Sequence, residues 1–113
     1  MVQKALNAVC EAFEGCDTLA YADLSTKLVL ATNESTELPR DALNTLCEDA
    51  TVLLSEGFTC VIGTEAGFRI FLRDPVETTD GMICLCARSA DIEALLPAVK
   101  DCLAGLARGD ASA

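Results

Sequence analysis

The stretch that most constrains what this chain can fold into covers residues 57–88, GFTCVIGTEAGFRIFLRDPVETTDGMICLCAR. Three runs within it, at 58–64, 67–73 and 81–87, are rich in Val, Ile, Phe, Thr and Cys, and suit a pleated surface. Glu65, Ala66 and Gly67 form a short glycine-containing break of the kind that closes a hairpin. A polar loop over 74–81, punctuated by Pro75 and Gly81, separates the second run from the third. These spacings predict a three-stranded antiparallel meander. Its apolar surface needs further strands and helices to cover it, and the rest of the chain must supply them.

The N-terminal segment begins that cover. Val2, Leu6, Val9, Cys10 and Phe13 recur at helical spacing over 2–14, and Gly15 suits a left-handed stop. Residues 17–24 and 28–32, DTLAYADL and LVLAT, flank a polar break at 25–27 and read as a strand pair that is largely apolar on both faces. The polar segment 33–38 leads to a helix over 39–55, opened by Pro39 at its first position. Its stripe is Leu43, Leu46, Cys47, Ala50, Leu53 and Leu54. Asp91 caps a last helix bearing Ile92, Leu95, Leu96, Val99, Cys102, Leu103 and Leu106. Pro97 inside this pattern predicts either a kink or a true start near Leu96. The order helix, strand, strand, helix, three strands, helix predicts an α/β (α+β) fold with a five-stranded antiparallel sheet between two helix layers. The expected organisation is one domain over 1–107 and a flexible tail at 108–113, whose Arg-Gly-Asp triplet we read as chance.

Composition enters for what it excludes. Half of the 113 residues are apolar, which rules out a disordered chain. No apolar run approaches the ~18 residues that a membrane span needs. The first residues lack the pattern of a secretory signal, so the chain reads as cytoplasmic. The net charge of −10 disfavours nucleic acid and anionic lipid as partners. Because the acids are spread along the chain, they fit a solubilising role better than a dedicated basic partner. The seven cysteines, an odd number without a CxxC pair, read as core filling in a reducing compartment. With no histidine, a Cys–His or Ser–His pair is impossible within the chain. No glycine-rich phosphate loop occurs, and five aromatics are too few for a base-stacking platform. Cys84 and Cys86 lack the second pair a zinc site needs, though two thiols on one strand face could meet a soft metal. No catalytic residue, cofactor or metal is expected.

Two features carry functional weight. Arg69 and Arg73 flank Phe71 on the middle meander strand, where they either snorkel onto nearby acids or contact an acidic partner. The run 58–64 carries no charge and no proline. At a sheet edge it would lack the usual guards against other chains. It then predicts strand-to-strand dimerisation about a two-fold axis, with the preceding Leu-lined helix across the same seam.

The element order, the strand pair LAYAD…KLVLAT, the helix LPRDALNTLCEDATVLL, and CVIGTEAGFRIFLR followed by GMICLCAR resemble the roadblock family, the dynein light chain roadblock-like domains. The resemblance covers about residues 1–107. Family members carry an Asp-x-x-Gly turn between the first two strands; here Asp23 is followed by Leu24, Ser25, Thr26 and Lys27, one residue longer and without glycine. The resemblance implies a profilin-like three-layer α/β/α sandwich that homodimerises through its third strand and second helix. In this chain the implied seam is Phe58, Cys60, Val61 and Ile62 on the strand, with Leu43, Leu46, Ala50 and Leu53 on the helix. It further implies a non-enzymatic regulator or scaffold acting on a small Ras-like GTPase or in a larger signalling or motility complex, with no small-molecule substrate. The alternative is a small-molecule sensor of PAS- or GAF-like layout, which requires a closed pocket between the sheet and one helix layer.

Overall fold

The structure, a computed structural model, describes residues 2–109. Residues 110–113 of the expected tail, including Asp110 of the triplet, lie outside the described residues. The elements are α1 (Val2–Ala12), β1 (Cys16–Asp23), β2 (Leu28–Thr32), α2 (Arg40–Leu53), β3 (Thr59–Gly63), β4 (Gly67–Arg73), β5 (Asp80–Ala87) and α3 (Ile92–Ala107). They follow the expected order. The strands form one antiparallel sheet ordered β2-β1-β5-β4-β3, so β2 and β3 are its edges.

Gly67 fixes the first turn of the meander. It exchanges backbone hydrogen bonds with Thr64, at 2.7 and 3.2 Å. Its φ is +153°, and a Cβ there would lie 2.0 Å from the carbonyl oxygen of Cys86 on β5. Only glycine lets β4 approach β5 this closely.

Strand alternation divides the core between the two faces of the sheet. Leu19, Ile70, Leu72, Met82 and Cys84 pack with Leu6 of α1 and with Leu95, Val99 and Leu103 of α3. Ala20, Ala22, Phe71 and Ile83 pack with Leu43, Leu46, Cys47 and Ala50 of α2. Full burial of a side chain such as Ile83 or Phe71 contributes about 1.5–3 kcal/mol, which explains why strands apolar on both sides end up between two helix layers.

Several local expectations are corrected. Pro39 is the residue before α2, not its first helical residue: its backbone is extended (φ −70°, ψ 158°) while its carbonyl already accepts the Leu43 N–H. α3 starts at Ile92, with Pro97 inside the helix, and not near Leu96. The Asp91 side chain accepts the Ala94 N–H and the Asp91 carbonyl accepts the Leu95 N–H, so the first turn is closed before Pro97 is reached. Arg108, assigned to the tail by sequence, is the C-terminal cap residue of α3 and donates to the buried Asp74 carboxylate at 3.0 Å. In the β1–β2 turn, Asp23 accepts hydrogen bonds from the Ser25 N–H and hydroxyl, and Lys27 takes a left-handed backbone at φ +61°. Asn33, read as part of a polar loop, is buried; its side chain accepts the Leu19 N–H and donates to the Asp17 carbonyl and to Ser35 Oγ.

Candidate functional site

The two sheet edges differ in how their outward backbone groups are treated. β3 pairs with β4 from Thr59↔Leu72 to Gly63↔Phe68. Phe58 accepts the Arg73 N–H, and Thr64 bonds Gly67, so the even-numbered residues of this segment face β4. By antiparallel alternation, the N–H and C=O groups of Thr59, Val61 and Gly63 point away from the sheet. Among the described residues no side chain bonds them.

At β2 three outward groups are occupied. Asn44 of α2 accepts the Val29 N–H at 3.0 Å, and Arg40 donates to the Val29 carbonyl at 2.6 Å. Gln3 of α1 donates to the Thr32 carbonyl at 3.1 Å. A bulge in the β1–β2 pairing between Tyr21 and Ala22 further breaks the regularity of this edge. β2 is therefore guarded by side chains, and β3 is left open.

Around β3 lies an apolar surface. Val52 at the end of α2 is 72% exposed, Phe58 49%, and Leu53 and Val61 41% each. Arg73 sets the approach to the strand. Its guanidinium donates to the carbonyls of Leu54 and, at 2.7 Å, Gly57, and lies 5.4 Å from the centroid of the Phe58 ring. These bonds tie the connection between α2 and β3 to the end of β4, and the ring contact adds a cation–π attraction.

The residues singled out by sequence thus separate. Val61 and Phe58 are exposed at the open edge, and Cys60 and Ile62 are half-buried on its α2 side. Leu53 is exposed, whereas Leu43, Leu46 and Ala50 lie under α2 against the sheet. Of the three candidate partner contacts, Arg69 is exposed, Arg73 is engaged with backbone carbonyls, and Phe71 is 1% exposed, a core side chain out of a partner's reach. Sequence reasoning missed Val52, which falls outside the helical stripe, and the edge guards Arg40 and Asn44, whose partners lie 11 and 15 residues away.

Two other regions bear on function. A cleft of ≈310 Å³ between the end of β4 and α3 is lined by Phe58, Leu72, Lys100, Leu103 and Arg108, and opens at the rim of the sheet. The buried Asp74 carboxylate lies there. Burial works to raise its pKa, but the N–H groups of Glu77 and Val76 and the Arg108 guanidinium outweigh it and hold the group below the ordinary range. Cys84 and Cys86 are both buried on the α1–α3 side. Among the described residues, no group of three Cys, Asp or Glu side chains could hold a metal ion.

No family model matches the sequence, and no curated protein matches it. Solved structures do. A Roadblock/LC7 domain from Streptomyces avermitilis superposes with a TM-score of 0.80 at 11% identity, covering 95% of each chain. A second Roadblock/LC7 domain structure from that organism gives 0.74 at 15%, covering 92% of this chain and 96% of that one. MglC from Myxococcus xanthus gives 0.59 at 14%, covering 99% and 98%. At these identities the likeness is one of fold: the chain has the roadblock-like, profilin-like architecture over nearly its whole length.

Proposed function

We propose that this protein is a non-enzymatic homodimeric module that scaffolds or regulates a partner, with a small Ras-like GTPase or a larger signalling or motility complex as its target. The observation that carries the dimer is the difference between the edges: side chains occupy the amide and carbonyl of Val29 and the carbonyl of Thr32, and leave the outward groups of Thr59, Val61 and Gly63 open. A two-fold axis through Val61 pairs Val61 with its own copy and Thr59 with Gly63, so each outward N–H meets a C=O. Each such bond adds about 1 kcal/mol net, and the apolar rim of Val52, Leu53 and Phe58 adds burial on either side. The GTPase, as the class of target, rests on the roadblock resemblance. Among the described residues, one sheet edge with open backbone groups fits a module that presents one composite surface from two copies.

Sedimentation of the native chain and of Val61→Lys, followed by affinity capture with each from the source organism's extract, tests the reading. The expected outcome is a dimer for the native chain, a folded monomer for Val61→Lys, and recovery of a Ras-like GTPase by the dimer alone. A native monomer, or a dimer insensitive to the lysine, rejects the seam. A dimer that retains no GTPase rejects the target and leaves the seam standing.

A further inference from the structure

On the far side of the sheet from β3, a group of sulfur atoms has no role in the reading above. Cys10 in the last turn of α1 and Cys16 at the start of β1 place their sulfur atoms 3.2 Å apart. Cys84 of β5 lies behind them, its sulfur 3.8 Å from that of Cys16. The chain reverses between the two elements at Gly15, whose φ is +88° and whose carbonyl accepts the Ala87 N–H at 2.8 Å. We infer that Cys10 and Cys16 form a thiol modification site, at which a small neutral hydroperoxide converts the pair to an internal disulfide.

Proximity and access support the assignment. A disulfide needs the sulfur atoms about 2.05 Å apart, a closure of roughly 1.1 Å from their present separation. Both cysteines line an open cleft of ≈190 Å³ with Asn7, Glu11, Glu34 and Ser35. A small oxidant reaches the pair through this cleft, where Cys10 is half-buried and Cys16 is 7% exposed, whereas Cys84 is fully buried. The two glutamates repel anionic oxidants, including disulfides of acidic thiol peptides, and admit an uncharged peroxide. The Cys16 sulfur lies between the thiols of Cys10 and Cys84, and hydrogen bonds from both pull its pKa below the ordinary thiol range against the effect of burial. The bond to Cys16, together with burial, pushes Cys10 up. Because two thiols, Cys10 and Cys84, lie within reach of a Cys16 thiolate and only one lies within reach of Cys10, Cys16 is the attacking thiolate and Cys10 the resolving thiol.

The chemistry balances in two steps. The Cys16 thiolate attacks one peroxide oxygen, the O–O bond breaks, and the leaving alkoxide or hydroxide takes a proton to depart as alcohol or water. The Cys10 thiol then attacks the Cys16 sulfenic acid; the S–O bond breaks, water leaves, and two thiols have been oxidised by one peroxide.

The test treats the full-length protein with hydrogen peroxide, quenches it under denaturing conditions with an alkylating agent, and maps the cysteines by mass spectrometry. Trypsin leaves both in the single peptide 5–27. The expected result is that this peptide loses both alkylation sites together and two hydrogen atoms, before any other cysteine reacts, and regains both sites after dithiothreitol. In Cys10→Ser the site stops at a sulfenic acid on Cys16, trapped by dimedone; in Cys16→Ser, Cys10 remains alkylatable at the same dose. The inference is overturned if Cys10 and Cys16 stay alkylatable while another thiol is consumed, if Cys16 bonds Cys84 instead, or if Cys10 reacts as fast in Cys16→Ser as in the native chain.

Discussion

Lys27 holds a left-handed backbone, φ +61°, at the end of the β1–β2 turn. That conformation disfavours any side chain with a Cβ by about 1–2 kcal/mol, and glycine relieves it at the expense of a more flexible unfolded chain. Lys27→Gly is therefore expected to stabilise the fold by roughly 0.5–1 kcal/mol net, read as a higher midpoint in urea with an unchanged slope. Asp74 gives a second prediction. Its pKa is held down in the folded state, so its contribution is present above the ordinary carboxylate value and is lost as pH falls through the lower folded one. Thermal unfolding should show stability declining below about pH 4, with Asp74→Asn less stable near neutrality and less sensitive to acid over that window. A variant that matches the native profile would place the acid sensitivity elsewhere. None of these roles was legible residue by residue. The Asp23-Leu24-Ser25-Thr26-Lys27 turn could be seen to lack the glycine of the roadblock pattern, but the position that takes the positive φ could not. Arg73 looked like a partner contact because its carbonyl partners, at 54 and 57, belong to another element.

Elements were far more legible than single residues. Helical and alternating periods located the elements to within a few residues, because strands apolar on both faces and helices apolar on one side leave few ways to bury them. What the periods could not give was strand order in the sheet. The meander fixes β3-β4-β5 as neighbours, but only the insertion of β1 beside β5 makes β3 terminal. The helix α2 misled for a related reason: Leu43, Leu46 and Ala50 form its stripe, and the stripe serves the sheet beneath, leaving Val52 and Leu53 to the outside. That arrangement gives Arg40 and Asn44 a further task on the same helix, closing the β2 edge. Replacing both by leucine should free the Val29 amide and carbonyl and produce species larger than a dimer in light scattering. An unchanged size distribution would show that the bulge and Gln3 suffice to guard this edge.

For the whole molecule, a five-stranded sheet with one guarded and one open edge is what the proposed dimer would complete. The charge of −10 per chain works against association at long range, whereas β3 itself carries none. Both edge strands are uncharged and bear exposed apolar side chains, Leu28 and Leu30 on β2 and Val61 on β3, and what sets β3 apart is its unoccupied backbone groups. The resemblance in sequence foresaw the architecture, and the solved roadblock structures share it over nearly the whole chain. Which backbone groups are left open emerged only from the hydrogen bonds. Residue-resolved amide exchange tests the central claim most directly. If β3 pairs across a two-fold, the outward amides of Thr59, Val61 and Gly63 are protected at high protein concentration and lose protection on dilution, while Val29 stays protected throughout. Fast exchange at Thr59, Val61 and Gly63 at every concentration would contradict it.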